Sequence, residues 1–495
     1  MGILASLEKS ISGHLDRNAF HINGNSFTYN DLAKSISKIR VAIRNKTDST
    51  EKHIGLVANN DLDTYGAILA IWFEGKAYVP IGTDTPKSRN LEMMGQTEVK
   101  SIIDTSATPL FPGKNTIQPA MLPNAEMDLA MEKVSSDDIC IILFTSGTTG
   151  TPKGVPITHA MLGAFMDAFW KLGLEIDEND KCLQMFEITF DFSIVAYLAS
   201  LLKGACTYTV PQDSIKYAYI YELLEDHGLT TIYLIPSILL YLRPYFEEID
   251  LPLMKNCIMG GEGLQVVLAE EWAKCIPNAK IVNIYGPTED TLFVTCYPLR
   301  RTGKNKSHNG ILALGKTMSG SHIIVIDEDK NILPTGEKGE LCLAGPQLTP
   351  GYWKNEERNK KVFFNAMYDG EQRRFYRTGD LCYFDEEGDI YFVGRIDFQA
   401  KIQGYRVELS EVEFHAQTVL GKTNVVAIAY QTKIGSTELG LVIETEEFKT
   451  EGLIEQMKVK VDAYMVPSKI KFVNEFPLNK NGKIDRKELS RLFQG

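Results

Sequence analysis

Nothing in this sequence reads as a membrane span: no uninterrupted apolar run approaches the roughly 20 residues that a helix needs to cross a bilayer. Paired cysteines are lacking as well. The eight present (Cys140, Cys182, Cys206, Cys257, Cys275, Cys296, Cys342 and Cys382) are scattered, with no C-x-x-C and no paired Cys/His spacing. That sets aside a zinc site and the disulfide framework of a small secreted domain, and leaves reduced, mostly buried thiols in a cytoplasmic protein. There is no excess of basic residues: Lys and Arg number 52 against 64 Asp and Glu, a formal net charge of -12. General affinity for nucleic acid or an anionic membrane is therefore disfavoured, although a local basic groove would survive. The opening residues, Met1-Gly2-Ile3-Leu4-Ala5-Ser6-Leu7-Glu8-Lys9, have neither a basic n-region nor a long apolar core, so no secretory signal is expected. Gly2 with Ser6 fits the myristoylation pattern only formally. Repeats and low-complexity tracts are also missing. What remains is the composition of a globular protein, 44% hydrophobic and 23% charged over 495 residues, long enough for about two to four folding units.

The hydrophobic pattern alternates between two periods. Leu32, Ile36, Ile39 and Ile43 recur at helical spacing after Asn30, a candidate N-cap, with Lys34, Lys38 and Arg40 off that stripe. Residues 53–57 read as a strand, 67–73 as helix and 77–81 as strand again. Further strands are expected at 101–103, 140–144, 206–210, 231–235, 256–259 and 281–285. Such alternation predicts an α/β protein with mostly parallel sheets covered on both faces. Beyond about residue 300 the strands shorten and glycine turns multiply, as at 323–325, 339–343 and 390–392. This predicts a smaller β-rich subdomain. A compact last unit with helix and strand signals of its own follows Arg395-Ile396-Asp397.

Several stretches carry chemistry. The run Thr145-Ser146-Gly147-Thr148-Thr149-Gly150-Thr151-Pro152-Lys153-Gly154 follows an apolar strand and contains only small or hydroxylated residues, proline and one lysine. Backbone N–H groups of such a loop can wrap an anion while hydroxyls donate and the lysine adds charge. It is not a Walker A loop, because Pro152 sits where the second glycine belongs. A flexible hairpin is the plainer reading. Asp191, in Thr189-Phe190-Asp191-Phe192-Ser193, could cap the helix that follows or face a pocket and pair with a substrate cation. Gly260-Gly261-Glu262-Gly263 ends a strand, either as a tight turn or as a place where a flat ligand meets the backbone. Asn283-Ile284-Tyr285-Gly286-Pro287-Thr288-Glu289 sets an aromatic ring, a hydroxyl and a carboxylate at a strand's carboxyl edge, where open α/β sheets bind ligands. Tyr376-Arg377-Thr378-Gly379-Asp380 offers a carboxylate suited to a diol, or a surface turn.

In number and order these motifs resemble the adenylate-forming enzymes: acyl-CoA synthetases, luciferases and the adenylation domains of peptide synthetases. The resemblance covers nearly the whole chain, from residue 144 to 486 with weaker similarity upstream. It implies a large N-terminal region of α/β subdomains plus a small β-rich one (residues 1–396), and a small mobile α+β C-terminal domain (residues 397–495). ATP and Mg²⁺ are implied. Thr145, Ser146, Gly147, Thr148, Thr149 and Lys153 would hold phosphates. Gly261, Glu262, Asn283, Tyr285 and Gly286 would meet the nucleotide, with Tyr285 stacked on adenine, and Asp380 with Arg395 would hold the ribose. Thr288 would meet the α-phosphate and Glu289 the metal, whose preference for hard oxygen ligands suits a carboxylate. Asp397 falls at the family's hinge. Lys483, in Pro477-Leu478-Asn479-Lys480-Asn481-Gly482-Lys483, matches the lysine that enters the active site during adenylation, and Asn479 stands where threonine is usual.

The Phe-Asp-x-Ser pattern around Asp191 is that of amino-acid adenylation enzymes, whose aspartate holds the substrate amino group. It implies an amino-acid substrate bordered by Asp191, Phe192, Val195, Gly260, Ile284, Leu292 and Phe293. The thiol acceptor would be the phosphopantetheine arm of a separate carrier protein. Among subfamilies the run Gly394-Arg395-Ile396-Asp397-Phe398-Gln399 most resembles D-alanine–D-alanyl carrier protein ligases. One departure stands out: those enzymes commonly have cysteine where this chain has Gly260, and a glycine is expected to leave room for a larger side chain or the other enantiomer. Because the other pocket positions, Phe192, Val195, Ile284, Leu292 and Phe293, are apolar, a small-to-medium apolar amino acid is expected. A carboxylate–CoA ligase, against which Asp191 argues, and a non-catalytic adenylate-binding or carrier-docking protein are the alternatives.

Overall fold

The structure is a computed structural model describing residues 2–131, 134–147, 150–421, 423–448, 450–478 and 484–493. Thr148, Thr149, Asn479 and Lys483 lie outside the described residues. The chain packs into two compact units. The first comprises Met1–Thr83, Met94–Leu143 and Gly154–Ile396; the second comprises Asp84–Met93, Phe144–Lys153 and Asp397–Gly495.

Three sheets organise the first unit. The largest has nine strands, with Asn18–Ile22, Cys206–Thr209, Lys181–Gln184, Thr231–Leu234, Asn256–Met259 and Lys280–Tyr285 side by side and parallel. Antiparallel strands close its edges, Asn25–Thr28 on one side and Thr295–Pro298 followed by Lys316–Thr317 on the other. A six-stranded sheet has Asn115–Ile117, Ser101–Ile103, His53–Val57, Ala77–Ile81 and Ile139–Thr145 in parallel order, with Lys153–Thr158 at its edge. The third is a five-stranded antiparallel sheet from His322–Ile326 to Ile390–Arg395, the β-rich part. The parallel strands are buried along nearly their whole length, which explains why they read as continuous apolar runs rather than alternations.

Helices cover the sheets with the expected stripes. Leu32, Ile36, Ile39 and Ile43 are all buried on the helix Tyr29–Lys46. Its N-cap is Thr28 rather than Asn30. Thr28 and Asp31 form a reciprocal capping box, which satisfies two otherwise orphaned backbone donors where Asn30 would satisfy one. The helix expected at 67–73 begins earlier, at Leu62, because the Asp61 side chain accepts from Thr64 N and caps it there. All eight cysteines are free, and Cys206 alone is less than fully buried.

The second unit has a three-stranded sheet, Val425–Gln431 and Thr437–Glu444 antiparallel and Lys469–Val473 parallel to the latter. The helix Leu409–Leu420 buries Leu409, Val412 and Ala416 in a core with Leu439, Leu441, Ile443, Leu453 and Met457. The hairpin Gln399–Ile402 with Tyr405–Glu408 precedes that helix.

Burial of a histidine in the core links folding to pH. His159, first residue of the helix His159–Trp170, is 5% exposed, stands edge-on to Trp72, and has no hydrogen-bond partner on either ring nitrogen. Burial lowers its pKa from 6.5 to about 4. The unfolded chain therefore binds a proton that the folded chain refuses between those values, so stability is lost as pH falls from 6.5 to about 4. His159→Phe should flatten this part of the acid limb in chemical denaturation measured at intervals across that window; an unchanged pH slope would refute the assignment.

Candidate active site

Within the first unit, the carboxyl ends of the parallel strands bring most of the expected residues together. The strand Lys280–Tyr285 ends at Tyr285, and a single turn of 3-10 helix, Thr288–Asp290, follows. Thr288 Oγ1 donates to Asp191 Oδ2 at 2.6 Å, across 97 residues of sequence. Asp191 stands at the N-cap position of the helix Phe192–Lys203, yet its side chain makes no capping hydrogen bond and its backbone is already helical. Capping therefore does not account for it. The carboxylate is turned toward Thr288, with Glu289 next in the chain.

Glu289 is wholly buried and accepts a hydrogen bond from the Tyr352 hydroxyl, which lies 3.3 Å from the Tyr376 hydroxyl. Tyr352 escapes sequence reasoning because it lies 63 residues from Glu289 in a proline- and glycine-rich turn. Beside Glu289, Asp290 is also fully buried, and neither of its carboxyl oxygens has a hydrogen-bond partner. Burial, then the Glu289 charge, pushes its carboxyl up to about 8.

The β-rich sheet supplies the diol-type carboxylate. Antiparallel register sets Asp380 opposite Arg395. Arg395 Nη1 donates to Asp380 Oδ1 at 2.8 Å, and the Tyr285 hydroxyl donates to Asp380 Oδ2. Burial, followed by the Asp380 charge, holds the Tyr285 phenol well above its ordinary pKa, so it remains a donor. Asn283 donates to the Ala313 carbonyl at 2.9 Å, while its own side-chain oxygen is buried without a partner. The Glu262 carboxylate accepts from Ser237 N at 2.9 Å, near the start of the helix Pro236–Leu242, where negative charge meets the helix dipole.

The apolar positions cluster in the core. Phe192, Val195, Ile284, Leu292 and Phe293 share one core. Phe192 stacks on Phe186, and Phe293 stands edge-on to Phe165 and Phe192. Gly286 has to be a glycine, because a Cβ there would lie 2.3 Å from Phe293 Cα. Gly261 takes a positive φ of 83° in its turn. Gly260 corrects one expectation. A Cβ built on it would lie 2.6 Å from Ile284 Cγ1 and 3.0 Å from the Ile284 carbonyl oxygen. Ile284 fills the room that the glycine frees, so the glycine alone does not widen the pocket.

Within the second unit, the glycine-rich loop has its donors on carboxylates. Lys153 Nζ lies 3.0 Å from Glu408 Oε1, and Gly147 N donates to Glu411 Oε2 at 2.9 Å. Ser146 Oγ donates to the Arg406 carbonyl at 2.9 Å and accepts from Glu408 N at 3.2 Å. Arg89 holds the other oxygen of Glu411 at 2.6 Å and also reaches Asp462 at 3.1 Å. Burial nevertheless raises the Glu411 pKa against the pull of Arg89. The Thr145 hydroxyl is buried without a hydrogen-bond partner. These are groups chosen to meet negatively charged oxygen, which fits a phosphate chain. Asp397 accepts from Gln399 N at 3.2 Å where residue 397 opens the last segment of the unit.

Sequence comparison places this geometry among known proteins. The chain is 29% identical over 506 residues to the D-alanine--D-alanyl carrier protein ligase of Bacillus velezensis, covering 99% of each chain. Against the protein of the same name from Lacticaseibacillus casei it is 28% identical over 505 residues, covering 98% of each. It is 29% identical over 492 residues to tyrocidine synthase 1 of Brevibacillus parabrevis, covering 97% of this chain. The chain spans less than half the length of the peptide synthetases that it matches, 44% of tyrocidine synthase 1 and 7% of tyrocidine synthase 3. In fold it is similar to the Vibrio cholerae adenylation domain AlmE solved in complex with glycyl-adenosine-5'-phosphate, with a TM-score of 0.87 at 22% identity covering 99% of this chain and 97% of that one. The peptide-synthetase protein PA1221, containing adenylation and PCP domains, superimposes with a TM-score of 0.86 at 25% identity, covering 99% of this chain and 84% of that one. The family model described as AMP-binding enzyme matches residues 7–353, and the chain belongs to that family.

Proposed function

We propose that this chain is an ATP-dependent ligase that activates an amino acid as aminoacyl-AMP and transfers it to the phosphopantetheine thiol of a separate carrier protein. The observation that carries the reading is Asp191: a buried carboxylate that caps nothing and lies 2.6 Å from the Thr288 hydroxyl, one residue from Glu289. A substrate ammonium is a natural partner for such a group. Similarity along the full length of two D-alanine--D-alanyl carrier protein ligases supports the same reading. The cytoplasm, which supplies ATP, is the proposed setting.

In the first half-reaction a substrate carboxylate oxygen attacks the α-phosphorus of ATP. The new O–P bond forms as the bond to pyrophosphate breaks. Asp191 holds the ammonium and so aims the carboxylate; once the ammonium takes the place of the Thr288 hydroxyl on Asp191, that hydroxyl is released to donate toward the α-phosphate. Thr145, Ser146, Gly147, Thr148, Thr149 and Lys153 hold phosphate oxygens. Tyr285 presents its ring to adenine alongside Gly261, Glu262, Asn283 and Gly286, and Asp380, steadied by Arg395, accepts from the ribose hydroxyls. Glu289 would hold Mg²⁺, which neutralises phosphate charge when bound. Lys483 adds positive charge where negative charge builds on the α-phosphate and leaving pyrophosphate. In the second half-reaction the thiol loses its proton to solvent, its sulfur attacks the acyl carbon, and the acyl C–O bond to phosphate breaks, so that a thioester forms and AMP leaves. We assign residues 1–396 to the adenylating domain and residues 397–495 to a mobile domain that pivots at Asp397 between the two steps, a motion of the kind that often limits turnover.

The pocket floor points to a small apolar amino acid, because Gly260 and Ile284 share one space. Phe192, Val195, Leu292 and Phe293 supply its apolar walls.

Amino-acid-dependent ATP–pyrophosphate exchange tests the reading, over both enantiomers of the proteinogenic amino acids, β-alanine and simple carboxylic acids. One amino acid should dominate. Exchange driven only by acids without an amino group would favour a CoA ligase. Asp191→Ala should reduce exchange by about 100-fold or more, the cost of stranding a charge partner, while ATP binding by calorimetry persists; turnover equal to the parent would refute the ammonium assignment. Lys483→Ala should slow adenylation by about 100- to 1,000-fold and leave thioester formation from preformed aminoacyl-AMP intact, whereas a mere adenylate binder would lose nothing measurable. Gly260→Cys should lower kcat/KM for the amino acid by about tenfold through overpacking, and adding Ile284→Ala should restore part of it. Full activity of the single variant would separate the two positions.

A further inference from the structure

The chain must reverse direction between the strand Lys280–Tyr285 and its antiparallel neighbour Thr295–Pro298, where Tyr285 pairs with Thr295. Gly286 packs directly under Phe293, so there is no slack for a wide loop. The reversal is made with two consecutive non-glycine residues in the left-handed region, Thr291 at φ 45° and Leu292 at φ 73°. L-residues avoid this region because the Cβ crowds the backbone, and a β-branched threonine is among the least tolerant. The turn also points carbonyls inward, away from solvent.

Among the described residues, one side chain meets three of them. Gln347 is 1% exposed, and its Nε2 lies 3.1 Å from the Phe293 carbonyl oxygen and 3.3 Å from those of Asp290 and Thr291. Its backbone carbonyl accepts from Thr291 Oγ1 at 2.6 Å, which ties the strained threonine to the same residue. Two residues on, Thr349 N donates to the Glu289 carbonyl at 2.8 Å, and Tyr352 donates to the Glu289 carboxylate. The segment from Gln347 to Tyr352 thus clamps the whole reversal, from Glu289 at its start to Phe293 at its end.

We propose that Gln347 is a positioning residue that couples the metal-binding carboxylate to the floor of the amino-acid pocket. This rests on the roles given above to Glu289, Leu292 and Phe293. Its carboxamide donor holds the strained turn closed. Without that donor, three buried carbonyls lose their partner and the turn relaxes, shifting Glu289 at one end and Leu292 with Phe293 at the other. Gln347 touches neither nucleotide nor amino acid; it acts through the turn.

The test uses Gln347→Leu and Gln347→Glu in the full chain, assayed by pyrophosphate exchange with the amino acid that dominates the panel. For Gln347→Leu, the amino-acid KM and the half-saturating Mg²⁺ concentration should both rise about tenfold, the scale of one stranded buried hydrogen-bonding group, with ATP KM within about twofold. Gln347→Glu sets an oxygen against three carbonyls and should be worse at neutral pH, then improve as the pH falls and the carboxyl regains a proton to donate. Hydrogen exchange needs no substrate: the peptide covering residues 288–294 should exchange faster in Gln347→Leu while residues 18–28 stay unchanged. A lower melting temperature with unaltered kinetic constants, or unaltered exchange at 288–294, would overturn the proposal and leave Gln347 a packing residue. If Glu289→Gln and Leu292→Ala also left turnover intact, the functional reading of the turn would fail rather than the role of Gln347 in shaping it.

Discussion

Burying a carboxylate is the constraint on which the rest of this molecule depends. An ionised acid taken out of water is costly unless donors replace the lost hydration. This chain buries Asp191, Glu289, Asp380, Glu408 and Glu411 nonetheless. Each has a donor of its own: Thr288 for Asp191, Tyr352 for Glu289, Arg395 and Tyr285 for Asp380, Lys153 and Gln399 for Glu408, Arg89 and Gly147 for Glu411. Most of these donors come from distant parts of the sequence, so the acids can be buried only in a fold that brings those donors to them. Asp290, next to Glu289, differs from these five: neither carboxyl oxygen has a hydrogen-bond partner among the described residues, and burial followed by the Glu289 charge raises its carboxyl to about 8.

The same logic links the site to its scaffold. Parallel strands can be buried on both faces because their backbone groups are paired, and their carboxyl ends then open onto one edge. Side chains on the turns at that edge are held by the strands on one side and by hydrogen bonds to neighbouring segments on the other. The reversal after Tyr285 is the extreme case: it carries strain in two residues, and it joins the buried Glu289 carboxylate to the apolar cluster of Leu292 and Phe293. Strain of this kind persists only where the surroundings over-determine it, and the clamp from Gln347 to Tyr352 does so.

Much of the α/β architecture was legible in the sequence because buried parallel strands leave short apolar runs bounded by turn residues. The strands at 53–57, 77–81, 101–103 and 256–259 coincide with those observed. Boundaries set by side-chain capping were less legible: Thr28 displaced Asn30, and Asp61 started a helix five residues before its apolar stripe suggested. The carboxylates and hydroxyls of the candidate site stood out through the motifs they share with a known family, because capping and turn formation explain such residues locally. Their partners did not. Tyr352 and Gln347 look like ordinary turn residues, and only tertiary structure brings them 63 and 54 residues back along the chain to Glu289 and Phe293.

Pocket size shows why a single position is a poor guide. Parallel register pairs Met259 with Asn283, so the next residues, Gly260 and Ile284, emerge side by side at the sheet edge. The volume available to a ligand there depends on the sum of the two side chains rather than on either one. A glycine at 260 reads as an enlargement when taken alone, but beside an isoleucine whose Cγ1 lies only 2.6 Å from where a Cβ would sit, it is the condition that lets the isoleucine fit. Close packing leaves almost no free volume to reassign. A substitution at one of these positions therefore changes what the other can be before it changes what the pocket can hold.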